Sequence, residues 1–129
     1  MSQTHALLID DNLKNLGVLA KLLSMEGVRY TQVQKPREVA TLLGQIDAVD
    51  VIFLDLEMPE VNGYQVLQLI KGDSRFQAVP VVAYTVHVSE INAAQEKGFD
   101  GFLAKPLDSD RFPDQLNRIL NGEPVWEMV

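Results

Sequence analysis

The sequence predicts an α/β fold: a doubly wound parallel sheet of five strands with helices on both faces. Three observations predict it. Short apolar runs alternate five times with stretches whose apolar residues recur at helical spacing. The runs, such as Ala6-Leu7-Leu8-Ile9 and Val51-Ile52-Phe53-Leu54, are continuous and aliphatic, as strands buried on both faces of a parallel sheet are. Polar residues stand where the runs stop: Asp10 and Asp11 after the first, Asp55 after the third, Thr85 after the fourth and Lys105 after the fifth.

In chain order, the first strand runs into Asp10-Asp11, and Asn12 is a favoured helix N-cap. Leu13, Leu16, Leu19, Ala20, Leu22 and Leu23 then keep helical spacing until Gly27, a C-terminal stop. Val28 to Val33 forms a second strand, more polar than the others, as an edge strand is. Pro36 opens the second helix at its favoured first-turn position, with Val39, Ala40, Leu42, Leu43 and Ile46 as the apolar stripe. Val51 to Leu54 is the third strand. A turn-rich stretch, Glu57-Met58-Pro59-Glu60-Val61-Asn62-Gly63, leads into a helix through Val66, Leu67, Leu69 and Ile70. Gly63 reads as a permissive backbone position just before that helix. Pro80 precedes the fourth strand, Val81 to Tyr84, and Ser89 is the expected cap of a helix carrying Ile91, Ala93 and Ala94 and stopping at Gly98. Phe99 to Leu103 is the fifth strand, and a last helix runs from about Ser109 to Leu120, closed by Asn121-Gly122. One domain thus spans residues 1–122. A short tail, 123–129, holds the only tryptophan, Trp126, and either packs back on the domain or docks a partner or a second copy; the sequence does not decide between them.

Composition sets the limits. A chain of 129 residues suits one domain with a core of its own. The formal net charge of −7 argues against a nucleic-acid or anionic-membrane binder, because phosphate backbones need a basic footprint. With no cysteine, disulfides and thiolate metal sites are excluded and a reducing compartment is compatible. The N-terminus has no basic n-region and no run long enough to span a membrane, so a cytoplasmic, soluble protein is expected.

The polar residues at the strand ends carry the chemistry. In an open α/β sheet the ligand crevice lies at the carboxyl ends of the strands. A flavodoxin-like order, 2-1-3-4-5, sets strands one and three side by side and gathers Asp10, Asp11 and Asp55 at the switch point. Other doubly wound orders are compatible with the composition; the placement of the acids favours this one. At about 5 Å and an effective dielectric of about 20, each pair of ionised carboxylates repels by about 3 kcal/mol. A fold that keeps such a cluster uses a proton or a cation there, and oxygen ligands in an open site suit Mg²⁺. A divalent cation, a carboxylate, a hydroxyl and a fixed ammonium on one sheet edge together suit phosphoryl transfer to the carboxylate.

The set Asp10-Asp11, Asp55, Met58-Pro59, Gly63, Thr85 and Lys105-Pro106 resembles the receiver domain of two-component response regulators, from about His5 to Leu120. A stand-alone receiver is expected, and the resemblance implies that its Asp55 accepts a phosphoryl group from a histidine kinase or a histidine phosphotransfer protein with Mg²⁺. It does so either to switch partner binding, as chemotaxis-type or cell-cycle single-domain regulators do, or to pass the group along a phosphorelay. The resemblance also implies metal ligation by Asp10, Asp11, Asp55 and the backbone carbonyl of Glu57. Lys105 is expected to pair with the phosphoryl group, the Thr85 hydroxyl to turn inward to it, and the Lys105–Pro106 peptide to be cis. Phe102 stands at the aromatic switch position. The output surface is expected on the fourth helix, fifth strand and fifth helix, with His87, Glu90, Phe102 and Arg111 among its residues. Such a protein acts on nothing beyond its own phosphorylation and dephosphorylation, as a monomer or weak dimer.

The chain departs from the family pattern after Thr85. Relatives often carry Ala or Gly there, and Val86 is expected to narrow access to the acceptor. Glu57, Met58 and His87 are expected to flank the pocket. A phosphorylation-independent adaptor that keeps the fold alone is the rival reading. A Mg²⁺-dependent phosphatase is a weaker one, because so short a chain has no room for a cap domain.

Overall fold

A computed structural model describes residues 3–56, 58 and 62–127. The parallel strands are β1 (His5–Ile9), β2 (Arg29–Val33), β3 (Val51–Asp55), β4 (Val81–Thr85), β5 (Gly101–Ala104) and β6 (Val125–Glu127). The helices are α1 (Leu13–Met25), α2 (Val39–Leu43), α3 (Gly63–Lys71), α4 (Ile91–Lys97) and α5 (Phe112–Leu120). They form one sheet in the order β2-β1-β3-β4-β5-β6. The expected order 2-1-3-4-5 is therefore present, and the tail adds a sixth strand beside β5.

Period-2 alternation divides the core into two layers. Leu7, Ile9, Ile52, Leu54, Val81, Ala83 and Phe102 face one side and meet Val39 and Leu43 of α2, Val66, Leu67 and Ile70 of α3, and Ala94 of α4. Ala6, Leu8, Val51, Phe53, Val82, Tyr84 and Leu103 face the other, against Leu16, Leu19 and Leu23 of α1 and Phe112, Leu116 and Ile119 of α5. The central strands β1, β3 and β4 are buried along their whole length, which is why they read as unbroken apolar runs. β2 lies at the edge and is mostly exposed, as its polar sequence predicts.

Caps explain several boundaries. The Asn12 side chain accepts hydrogen bonds from the backbone N–H groups of Lys14 and Asn15 at 2.9 and 3.2 Å. Asn62 caps α3 with a reciprocal bond to Gln65, a capping box. Gly98 ends α4 with φ 107°, a left-handed backbone that favours glycine.

Four expectations are corrected. Ser89 does not cap α4: it lies inside a short 3₁₀ turn, Val88–Glu90, that feeds directly into the helix. Leu69 points away from the core and is exposed, because the buried face of α3 is set by Val66, Leu67 and Ile70. α5 begins at Phe112, since residues 108–111 form a turn in which the Asp108 carboxylate accepts from Asp110 N. Gly63 is the first residue of α3, and its φ is not positive. Its requirement is space: a Cβ there would stand 2.9 Å from Leu56 Cα and 3.0 Å from the Asp55 carbonyl oxygen.

The tail is fixed by β6 pairing. Gly101, Phe102 and Leu103 stand in register with Val125, Trp126 and Glu127. Val125 is buried, Trp126 packs against the α2–α3–α4 layer, and Glu127 pairs with Arg111 and, at 3.7 Å, with Arg118 of α5.

Candidate functional site

Asp55 is the last residue of β3, and Asp10 follows the last residue of β1. The two strands are adjacent, with Ile9 opposite Leu54 in register, so the topology alone places the two acids side by side. Suitable oxygens of Asp10, Asp11 and Asp55 lie within 4.8 Å of one another. Asp10 is fully buried and Asp55 4% exposed, while Asp11 is open to solvent. The cluster therefore has a dry floor and a wet rim.

Lys105 reaches into the cluster from just past β5. Its Nζ stands 3.2 Å from Asp10 Oδ2 and 3.5 Å from Asp55 Oδ1, and its side chain is only 10% exposed. The Lys105–Pro106 peptide is cis, in agreement with the expectation. Lys105 N donates to the Thr85 carbonyl at 2.9 Å, and this bond fixes where the side chain starts. Three carboxylates against the Lys105 ammonium leave a formal surplus of two negative charges (3 − 1 = 2), matching one divalent cation. All-oxygen donors with one exposed acid fit Mg²⁺, which keeps several waters and takes one or two carboxylates.

Thr85 ends β4 and is 1% exposed; its Oγ1 accepts from His87 N at 3.2 Å. By alternation it shares its side of the sheet with Ala83 and Phe102, away from Tyr84. Phe102 is fully buried and stands opposite Trp126. Val86 is 60% exposed and His87 is exposed, both just beyond the strand end. Met58 is buried with the α2–α3–α4 layer. Glu57, expected to offer a carbonyl, and Pro59 lie outside the described residues. Of the expected output residues, Glu90 accepts from the Tyr64 hydroxyl at 2.6 Å and Arg111 pairs with Glu127.

Sequence reasoning placed Tyr84 as a buried strand residue and missed its hydroxyl, which donates to Asp10 Oδ2 at 2.8 Å. Lys105 Nζ lies 4.5 Å from the centroid of the same ring. Burial first, and then the negative charge of Asp10, hold this phenol well above its ordinary pKa, so it stays a donor. The signal was available: a buried tyrosine needs a partner for its O–H, and the neighbouring strands end in acids.

A broad surface groove lined by Gln32, Lys35, Arg37 and Gln45 contains none of these residues, whereas a small pocket lined by Asn15, Val18, Tyr84, Lys105, Pro106 and Leu107 adjoins the cluster. Among the described residues, no helix is long and apolar enough to cross a membrane.

Comparison with known proteins agrees with this geometry. The family model for the response regulator receiver domain matches residues 6–117. The two-component response regulator ORR5 of Oryza sativa subsp. japonica is 31% identical over 118 residues, covering 90% of this chain and 88% of its own. The receiver domain of sensor histidine kinase PA1611 from Pseudomonas aeruginosa PAO1 superposes with a TM-score of 0.82 at 24% identity, covering 93% of this chain and 99% of that one. That structure has a magnesium ion coordinated in its active-site cleft. Chemotaxis protein CheY4 of Vibrio cholerae gives a TM-score of 0.82 at 20% identity, over 92% of this chain and 99% of its own. With its strand order and its acid cluster in place, this chain belongs to the family of response regulator receiver domains.

Proposed function

We propose that this receiver accepts a phosphoryl group on Asp55 from a histidine kinase or histidine phosphotransfer protein. The observation that carries this reading is the convergence of Asp10, Asp11, Asp55 and Lys105 at the carboxyl end of the sheet. An Asp55 carboxylate oxygen attacks phosphorus, the bond from phosphorus to the donor nitrogen breaks, and that nitrogen keeps the electron pair and takes up a proton. Mg²⁺, when bound, screens the repulsion between the incoming phosphoryl oxygens and the acceptor. Asp10, Asp11 and Asp55 would hold it, and the magnesium in the active-site cleft of the PA1611 receiver supports a cation at this place in the fold. Lys105 supplies the fixed positive charge, already within 3.5 Å of Asp55 Oδ1.

After transfer, the Thr85 hydroxyl turns from His87 N towards the new phosphoryl oxygens, and Phe102 follows by repacking. Because β6 covers the β5 edge, the expected output face of α4, β5 and α5 is here one of α4, β6 and α5, and it then changes its affinity for a protein target. Val86 narrows the approach to Asp55, with His87 beside it. The protein works in the cytoplasm as a monomer or weak dimer, binds neither nucleic acid nor membrane, and turns over nothing but its own acyl phosphate.

Intact-protein mass spectrometry after incubation with phosphoramidate tests this. Wild type is expected to gain one phosphoryl group only with Mg²⁺, and Asp55→Asn none. No gain in wild type or in Val86→Ala would leave the phosphorylation-independent adaptor as the function.

A further inference from the structure

The fourth and fifth residues of β4 meet the site from opposite faces of the sheet. Thr85 belongs to the chemistry already described. Tyr84 stands in register with Asp55 and turns towards the α1–α5 layer. Its ring meets Phe53 edge-on, with centroids 6.4 Å apart, and Phe53 in turn contacts Phe112 at 6.2 Å. Aliphatic packing alone would not call for a phenol at this place. A buried O–H costs free energy unless it is bonded, and this one is bonded to an acid of the cluster.

A carboxylate offers roughly four acceptor sites, two on each oxygen. Asp10 Oδ1 accepts from Asn12 N at 2.9 Å, and Oδ2 accepts from both the Tyr84 hydroxyl and Lys105 Nζ. At least three sites are therefore already in use. A hydrated cation approaching Asp10 competes with donors that the protein has put there.

We propose that the Tyr84 hydroxyl is a positioning group of the acid cluster that occupies an oxygen of Asp10 and thereby weakens the hold of this receiver on Mg²⁺. The inference rests on the receiver reading, in which Asp10 helps to hold the cation. Tyr84 is not a catalytic residue: it acts through Asp10. The ring is a separate contribution, because Lys105 Nζ lies over it and Phe would keep that contact. Tyr84→Phe thus removes the O–H donor while leaving the aromatic cluster of Phe53 and Phe112 in place.

Isothermal titration of Mg²⁺ into the full chain measures the effect. Tyr84→Phe is expected to lower the Kd for Mg²⁺ by about three- to tenfold, the worth of one net hydrogen bond. Tyr64→Phe is the control, since it removes another tyrosine–carboxylate bond, to Glu90, outside the cluster. It is expected to lower the melting temperature and leave the Kd within about twofold, as a purely structural bond would. An unchanged or weaker Kd in Tyr84→Phe, with wild type binding normally, overturns this inference alone. A wild type that binds no Mg²⁺ overturns it together with the receiver reading.

Discussion

Lys105→Met is expected to lower the unfolding free energy at neutral pH by about 3 kcal/mol, and Mg²⁺ to return much of it. Met keeps most of the volume and the apolar stem, so little dispersion is lost. What changes is charge. Asp10 is fully buried and Asp55 nearly so, and Lys105 Nζ lies within 3.5 Å of both. Removing one partner from a buried ion set costs about 3–5 kcal/mol, whereas removing both is often neutral. The lower figure applies, because Asp10 keeps its bonds from Asn12 N and the Tyr84 hydroxyl. Urea unfolding is the measurement, and the corresponding fall in Tm is about 10 °C. Adding Asp10→Asn to Lys105→Met should recover stability, with a coupling of about 1 kcal/mol or more. A single variant as stable as wild type would mean that the ammonium offsets none of the repulsion.

Gly63→Ala is expected to cost about 2 kcal/mol, although Ala is the better helix former. The new Cβ would meet Leu56 Cα at 2.9 Å, the Asp55 carbonyl oxygen at 3.0 Å and Leu56 Cδ2 at 3.1 Å. Two of these are backbone atoms of the segment that carries the acceptor, so relief requires α3 or the end of β3 to move. Mg²⁺ affinity should fall with stability, because the displaced residue is Asp55 itself. Gly17 makes the opposite case. It lies within α1, and a methyl group added there would meet nothing within 4 Å, so Gly17→Ala should stabilise by about 0.5–1 kcal/mol. Thermal melts that moved the same way for both substitutions would show that propensity, and not close approach, governs Gly63.

The parts of this molecule that were legible beforehand are those with a strong local cause. Strands buried on both faces must be apolar throughout, so β1, β3 and β4 announced themselves, and the acids at their ends located the site. Asn12 was legible for the same reason: capping is a contact between near neighbours in sequence. What stayed hidden depended on distant partners. Three residues of β6 are too few to carry a period, and their strand conformation comes from pairing with β5. The exposure of Leu69 was set by how α3 rotates onto the sheet. The helical stripe ending at Ile46 outran α2, which closes at Leu43, with Ile46 packing from the following turn. Tyr84 was read for its ring because alternation speaks of burial, whereas the target of its hydroxyl lies 74 residues earlier.

The sixth strand gives the protein a built-in optical probe of a particular kind. Trp126 is the only indole in the chain, and it sits opposite Phe102 at the β5 edge, not beside the carboxylates. Its emission therefore senses the β5–β6 edge of the sheet. Filling the acid cluster alters that emission only to the extent that the change travels through Phe102 to β6. A fluorescence titration of this protein measures transmission, and a calorimetric one measures occupancy. Comparing the two midpoints and amplitudes turns an incidental tail residue into a direct reading of how firmly the two ends of β5 are mechanically linked.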